Sequence, residues 1–476
     1  MPRRPVRLSV PSDELRSVFA EIRAELEIPE SFPPEALMEA AASVAEPRLP
    51  DADLTDVPFV TIDPAGSMDL DQALHLGSRP GGGFRLRYAI ADVAAFVRPG
   101  GTVDAEAHRR VETVYSPDMR SPLHPPVLSE SVASLLPDGP RPAIVWDIDV
   151  DADGEPVRVE VSRALVASRA KLDYPSVQAA LDAGTADPML AILPRMGRVL
   201  QEAERARGGS SLDVPRQEVV STDAGYALRF EATLPAEGWN AQLSLLTGRA
   251  AAELMLRGGI GVLRTMPAPY LPHVERLRRV AAGLGIEWPN EESYAELLQR
   301  LDAGRSNAEA VFLQEAAVLF QGASYEAFDG KPPKAPLHAA VAAPYAHATA
   351  PLRRLVDRYA LEVCLAIASG ADVPAWVREA LPRLPVEMRE GADRGNRLER
   401  AIVDAVEAAV LAPMIGREFD ALVVDLWKGR RGEVAIRSPA VIGPCDGATV
   451  LGASVRVRLE EADTTERTIR FTQMDR

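Results

Sequence analysis

Three aspartates fall within the stretch Thr61-Ile62-Asp63-Pro64-Ala65-Gly66-Ser67-Met68-Asp69-Leu70-Asp71-Gln72. Alternation along an extended chain places Met68, Leu70 and Leu74 on one side, with Asp69 and Asp71 on the other. The Pro-Ala-Gly bend after Asp63 can fold that residue back toward the pair. Carboxylates gathered this closely repel one another and keep protons unless a cation sits among them. Hard oxygen ligands select magnesium, or manganese as a substitute, over zinc. The six histidines include no His-Glu-x-x-His pair, and no Cys/His spacing suits zinc. Spacing alone is also satisfied by solvated loop acids and turn caps.

A second constellation is Tyr345-Ala346-His347-Ala348-Thr349-Ala350-Pro351-Leu352-Arg353-Arg354-Leu355-Val356-Asp357-Arg358-Tyr359. Pro351 predicts a helix start, and Leu352, Leu355, Val356, Tyr359 and Val363 an apolar face. Arg353 and Arg354 then occupy the first turn, where free N–H groups, the helix dipole and guanidinium forks together suit a phosphate. A surface helix whose arginines meet acids is the plainer account. Two other patterns lose to their context. Asp149, Asp151, Asp153, Gly154 and Glu160 fill an EF-hand expression, but strand-like WDIDV and VRVEV flank them, so DADG reads as a hairpin turn. Gly81-Gly82-Gly83 likewise sits between strand patterns rather than before a helix.

The elements that must position these residues divide the 476-residue chain into three. Residues 1–48 read as a helical arm, with Ser12 and Asp13 capping a helix whose Leu15, Val18, Phe19, Ile22 and Leu26 share a face. The plainest role for the arm is packing against the neighbouring domain. Residues 49–413 read as a catalytic domain. Its strands come first: VPFVTID, ALHLG, FRLRYAIADV, AIVWDIDV and PVRVEVSRALV. From Lys171 to Leu411 the pattern is mainly helical, interrupted by irregular LPAEGWNAQ and FDGKPPKAP. Residues 414–476 carry EFDALVVDL, GEVAIRS, ASVRVRLEE and RTIRFTQ, which suit a small OB-type barrel. The fold class is therefore α+β: a mixed sheet packed with helices, a C-terminal barrel and an N-terminal helical arm.

Composition narrows the function. Hydrophobic residues make up 47% and charged residues 26%, a folded and water-soluble balance rather than a disordered one. No 18-residue apolar run is present, so no membrane span is expected. The opening residues lack the apolar core of a secretory signal, and two distant cysteines suit a reducing cytoplasm. The net charge of −16 confines any polyanion to a local basic channel. Only four of the 53 basic residues are lysine.

Taken together, the motifs resemble the RNB domain, the catalytic domain of the ribonuclease II and ribonuclease R family. VTIDPAGSMDLDQAL is similar to its acidic signature, and YAIADVAAFVRPGGTVDAEAHRRVETVYSPD comes after it at the family's distance. RAKLDYPSV resembles the next landmark, and YAHATAPLRRLVDRY the segment that ends in paired arginines. The resemblance runs from about residue 55 to 410. It implies a magnesium-dependent 3′→5′ exoribonuclease that hydrolyses single-stranded RNA to nucleoside 5′-monophosphates; a monomer is expected.

By the same resemblance Asp63, Asp69 and Asp71 take the metal positions, with Asp71 nearest the attacking water. Arg353 steadies the scissile phosphate and Arg354 neighbours it. Tyr115 stacks on the 3′-terminal base, and Glu399 lies near the RNA end. Four departures stand out. Gln72 replaces a fourth aspartate, so a second metal should bind more weakly, although the amide can still donate an oxygen or hold a water. Ala350 replaces a capping serine. Ile260 stands where a second stacking aromatic is expected. The paired cold-shock domains that usually precede the family's catalytic domain are replaced by the helical arm. Two alternatives remain: an RNA-binding protein on a catalytically lapsed RNB scaffold, and a metal-dependent hydrolase of small phosphoesters.

Overall fold

The computed structural model describes residues 6–8, 13–210, 216–222, 225–231, 233–302, 305–427, 429–436, 439 and 441–474. Its centre is a six-stranded sheet in the spatial order Pro156–Val166, Arg141–Val150, Phe84–Ala91, Gln72–Ser78, Phe59–Asp63, Ser168–Asp173. Neighbours run antiparallel except the last pair, which is parallel. Gly81–Gly83 is a hairpin turn. A Cβ on Gly83, at φ +82°, would lie 2.2 Å from the Val150 carbonyl oxygen, so only glycine closes this turn. The acids of the EF-hand expression form the next hairpin. There the Asp151 carboxylate accepts the N–H groups of Asp153 and Glu155 at 3.0 and 2.8 Å.

Alternation gives this sheet two apolar faces of different bulk. Val60, Ile62, Leu74, Tyr88, Ile90, Ile144, Trp146 and Ile148 point into the main core. The side chains between them, Ala73, Ala89, Ala91, Ala143 and Val145, join Phe59, Leu70 and Leu352 in a second core. Helices Leu193–Ala206, Pro235–Gly258 and Leu355–Ser369 supply residues to the first; helices Pro34–Ala45 and Thr102–Arg110 supply the second. Small residues on one face let its cover approach closely, as close packing requires.

The region from Lys171 to Leu411 is less uniformly helical than its pattern predicts. Arg216–Thr222 pairs with Gly225–Glu231, and Ile260–Thr265 with Ser324–Asp329, both antiparallel. LPAEGWNAQ is not irregular. Apart from Leu234 it lies inside the helix Pro235–Gly258, because proline at the first helical position fits the helical φ and gives up an N–H that has no partner there. The helix expected from Pro351 begins instead at Leu355, with Arg354 as its N-cap residue.

Five C-terminal strands, Glu418–Trp427, Arg431–Ile436, Val441–Asp446, Ser454–Asp463 and Thr468–Gln473, close into a barrel. The barrel core is continuous with the helices Asp13–Glu25 and Leu384–Leu411: Leu15, Phe19 and Ile22 meet Leu398, Ile402, Val406, Phe419 and Val457. The N-terminal arm therefore packs, as its amphipathic face suggests. It also carries a strand, Val6–Leu8, parallel to Arg216–Thr222; Ser12 lies outside the described residues. Arg110 ties the arm down from below. Its guanidinium donates to the carbonyls of Pro29 and Ser31 at 3.3 and 2.5 Å and lies 3.7 Å from the centre of the Phe32 ring. Among the described residues no helix is long and apolar enough to cross a membrane, and both cysteines are buried and unpaired.

Phe19 is completely buried where arm, long helix and barrel meet. Phe19→Ala should lower stability by about 3–5 kcal/mol, read as a fall in the thermal midpoint. An unchanged midpoint would detach the arm from that core.

Candidate active site

Leu70 and Leu352 are both buried in the second core, and each is followed by a charged residue. Their shared burial sets Asp71 and Arg353 level with one another. Asp71 accepts the Leu352 N–H at 2.7 Å on one oxygen and Arg353 Nε at 3.2 Å on the other. Its backbone carbonyl takes the Ala91 N–H at 2.9 Å. The segment ahead of it is pinned by Ser134, whose hydroxyl accepts the Leu70 N–H and donates to the Met68 carbonyl. The Arg353 side chain is 46% exposed against 5% for Asp71. Only Nε meets the carboxylate, which leaves the open end of the fork for a second anion.

Asp69 is held from the side. Arg120 donates to one oxygen at 2.8 Å and the Tyr115 hydroxyl to the other at 3.1 Å. Tyr115 and Arg120 are cross-strand partners in the short ribbon Val114–Tyr115 with Arg120–Ser121. Arg120 also reaches Glu130 at 2.6 Å. The Tyr115 ring is 54% exposed although its hydroxyl is anchored. That combination gives a flat apolar face beside the carboxylates. Burial and the Asp69 charge together hold the phenol proton far above the ordinary tyrosine range.

Asp63 ends its strand just before the bend, where Gly66 takes φ +87° and the Ser67 N–H closes on the Pro64 carbonyl at 3.1 Å. Burial, opposed by Arg353 and reinforced by Asp69, pushes its carboxyl up to about 7. Asp71 is also pushed up to about 7, again by burial, against the pull of Arg353 and the Leu352 N–H. The carboxylates are thus desolvated and within one another's field. Among the described residues, however, no group of three or more His, Cys, Asp or Glu side chains is gathered closely enough to hold a metal ion. The donors fit a hard divalent cation in kind and in protonation cost, while Asp69 and Asp71 spend their charge on arginines.

The turn ahead of the arginines differs from the expected phosphate cradle. Thr349 and Ala350 donate their N–H groups to Asp357 at 2.8 and 2.7 Å, so a buried aspartate caps this turn in place of the missing serine. Arg354 places its fork on the same carboxylate, two bonds of 2.9 Å. Although burial opposes its charge, Asp357 raises its pKa further. Arg354 thereby braces the turn. Gln72 is committed at both ends of its amide, donating to the Thr349 carbonyl at 2.7 Å and accepting from Tyr88 at 2.5 Å. With its nitrogen on a carbonyl from the second half of the chain and its oxygen on a buried phenol, Gln72 is a brace between chain halves rather than an open ligand. Ile260 is buried in the main core and is no stacking partner. Glu399 lies half-buried on the helix Leu384–Leu411.

Four residues were not expected here: Arg120, Ser134, Asp357 and Lys171. Lys171 acts on Asp63 through its charge and lies on the strand parallel to it, with Thr61 opposite. Being one of four lysines was the faint signal for it. Nearby, Thr113 donates its N–H to the Arg353 carbonyl and Leu355 its own to that of Val111, both at 2.9 Å. Val111 stands at φ +70°, ψ −42°, a region that costs a β-branched residue on the order of 1–3 kcal/mol.

Comparisons with known proteins converge on this architecture. Residues 51–367 match the RNB domain, and residues 417–474 match the RNase II-type exonuclease C-terminal S1 domain. Ribonuclease R of Escherichia coli (strain K12) is 31% identical over 323 residues, which is 64% of this chain and 39% of that protein. The chain thus spans about two fifths of that relative's length. The structure of Mycoplasma genitalium RNase R in complex with ribose methylated single-stranded RNA superposes with a TM-score of 0.85 at 19% identity, over 97% of this chain and 78% of that one. Yeast Ssd1, described as a pseudonuclease, superposes at 0.68 and 15% identity, over 90% of this chain and 53% of that one. A mixed sheet whose acidic strand is joined to a paired-arginine turn, with a five-stranded barrel beyond it, places the chain in the RNB-domain family, with an S1 domain of the RNase II type behind it.

Proposed function

We propose that the chain is a magnesium-dependent 3′→5′ exoribonuclease acting on single-stranded RNA and releasing nucleoside 5′-monophosphates. The observation that carries this reading is the Asp71 carboxylate, held at 2.7 Å by the Leu352 N–H and at 3.2 Å by Arg353 Nε. It brings an acid suited to a cation and a cation suited to a phosphate to one spot. Asp63, Asp69 and Asp71 would hold the metal, which when bound lowers the pKa of a water and offsets phosphoryl charge. Arg353 turns its exposed fork to the phosphoryl oxygens and stabilises the charge that grows there. Tyr115 stacks the 3′-terminal base on its exposed face, fixing which phosphate reaches Arg353. Arg354 and Gln72 hold the turn that carries Arg353. The barrel guides the strand inward, and Glu399 lies toward the RNA end. A monomer working in the cytoplasm suffices.

The lapsed-scaffold alternative rests on Gln72, whose committed amide leaves three acids rather than four, and on the likeness to Ssd1. Poly(A) labelled at its 5′ end decides between them. With magnesium the enzyme shortens it stepwise and chelator stops it; the lapsed scaffold binds it and leaves its length unchanged.

Asp71→Asn should slow digestion by at least about 100-fold while moving RNA affinity by less than about twofold, measured by gel and by filter binding. Near-normal turnover would remove Asp71 from the chemistry. Tyr115→Ala forfeits one stacked base, about 1–3 kcal/mol, so KM should rise about 5- to 150-fold. An unchanged KM would place the terminal base elsewhere.

Magnesium should also stabilise the fold in a pH-dependent way. Asp63 and Asp71 keep protons up to about 7 when folded, whereas the unfolded chain loses them near 3.8. Their contribution to stability is therefore full below pH 3.8 and is lost as pH rises toward and through 7. A cation binds the ionised form and need displace no proton at pH 8. The magnesium-induced rise in thermal midpoint should then be larger at pH 8 than at pH 6 and disappear in Asp63→Asn. Equal shifts at both pH values would move the metal away from these acids.

A further inference from the structure

Val111 is a buried β-branched residue at φ +70°, and both its backbone groups are held: its N–H by the Ala107 carbonyl at 2.8 Å, its carbonyl by the Leu355 N–H at 2.9 Å. One bond looks back into the helix Thr102–Arg110 and the other across to the helix that begins after Arg354. The next residues continue the crossing. Glu112 bridges Arg354, Thr113 donates to the Arg353 carbonyl, and two residues on stands Tyr115.

A strained turn persists only where its surroundings leave it no other place. Those surroundings are one face of the helix Leu384–Leu411. A Cβ on Gly391 would sit 2.7 Å from the Val111 Cβ, so the helix touches the turn through a missing side chain. One turn further on, Arg394 donates to the carbonyls of Arg109 and Arg110, 3.0 Å each, satisfying the end of the preceding helix. Residues 391 and 394 lie on one side of a helix, three apart. The same helix runs on through Leu398, Ile402 and Val406 into the core it shares with the barrel.

We propose that Val111 is a positioning residue for the exonuclease reaction. Pressed by Gly391 and Arg394, it sets the height of the Tyr115 face relative to the Arg353–Asp71 pair, and so governs turnover rather than RNA grip. This rests on the exoribonuclease reading, and its test separates the two. The methyl of Gly391→Ala strikes Val111 and tilts the crossing. Its kcat on 5′-labelled poly(A) should fall about 10- to 100-fold, while affinity for the same RNA, measured in an Asp71→Asn background, stays within about twofold. Val111→Gly removes the struck side chain and accepts the positive φ. The double variant should recover most of the lost turnover, a non-additivity that general damage does not produce. Arg394→Met, which removes the two bonds to the Arg109 and Arg110 carbonyls without introducing a clash, should lower kcat in the same sense and serves where Gly391→Ala fails to fold.

A Gly391→Ala protein within about twofold of the parent in kcat, or a double variant as slow as the single, overturns the proposal. Hydrogen exchange supplies the arm that needs no catalysis. Amides of 111–115 and 353–355 should exchange about tenfold faster in Gly391→Ala and return toward the parent in the double variant. If the parent leaves RNA uncut, the exoribonuclease reading falls, and unchanged exchange in Gly391→Ala then overturns the positioning role on its own.

Discussion

Everything at the site hangs from the carboxylate of Asp71. It is nearly inaccessible to water and sits 281 residues from the N–H it accepts, so it is a long-range tie as well as a reactive group. A buried carboxylate is costly unless its lone pairs are used. Here Leu352 and Arg353 use them, and the adjoining leucines bury the chain on either side. The leucine pair explains why the alignment is stiff. Moving Asp71 away from Arg353 would drag Leu70 and Leu352 out of one close-packed core.

That tie sets up a competition. Burial favours the neutral form of Asp63 and Asp71, while the positive charge of Arg353 favours the ionised form of both. Asp69 spends its oxygens on Arg120 and Tyr115. A site arranged this way holds acids whose charge is only partly offset by arginine, so a divalent ion would supply to them the positive charge that protons and guanidinium groups now supply. The cost of assembling three acids is divided among Arg353, Arg120 and Tyr115.

How much of this was legible depends on how local each signal is. Period-two alternation marked five of the six central strands, missing Ser168–Asp173, and four of the five barrel strands. Val441–Asp446 escaped because it contains Gly443 and Pro444. A Cβ on Gly443 would stand 2.7 Å from Ile469 Cδ1, so the strand packs closely there. The hairpin of Arg216–Thr222 and Gly225–Glu231 was hidden among helical patterns, its partner Val6–Leu8 more than 200 residues away. At the site, the acidic and arginine motifs carried the residue types, but not their partners. Nothing near Asp357 announces that it would cap Thr349 and Ala350 as well as grip Arg354. Gln72 read as a weakened ligand because it stands where the resemblance places a fourth aspartate, whereas its neighbours in space are Tyr88 and a carbonyl.

The near-exclusive use of arginine acquires a physical sense from these contacts, whatever its origin. Arg354 makes two bonds to one carboxylate, Arg110 joins Glu106, Ser121 and the carbonyls of Pro29 and Ser31, and Arg353 and Arg120 each meet an acid of the cluster. A lysine brings one compact charge and cannot brace and bridge in this planar way. It also loses its proton more readily when buried, whereas the guanidinium keeps its charge at Arg354 despite burial. A chain of net charge −16 thus fixes Arg353 and Arg120 in place with the same acids whose charge they partly offset.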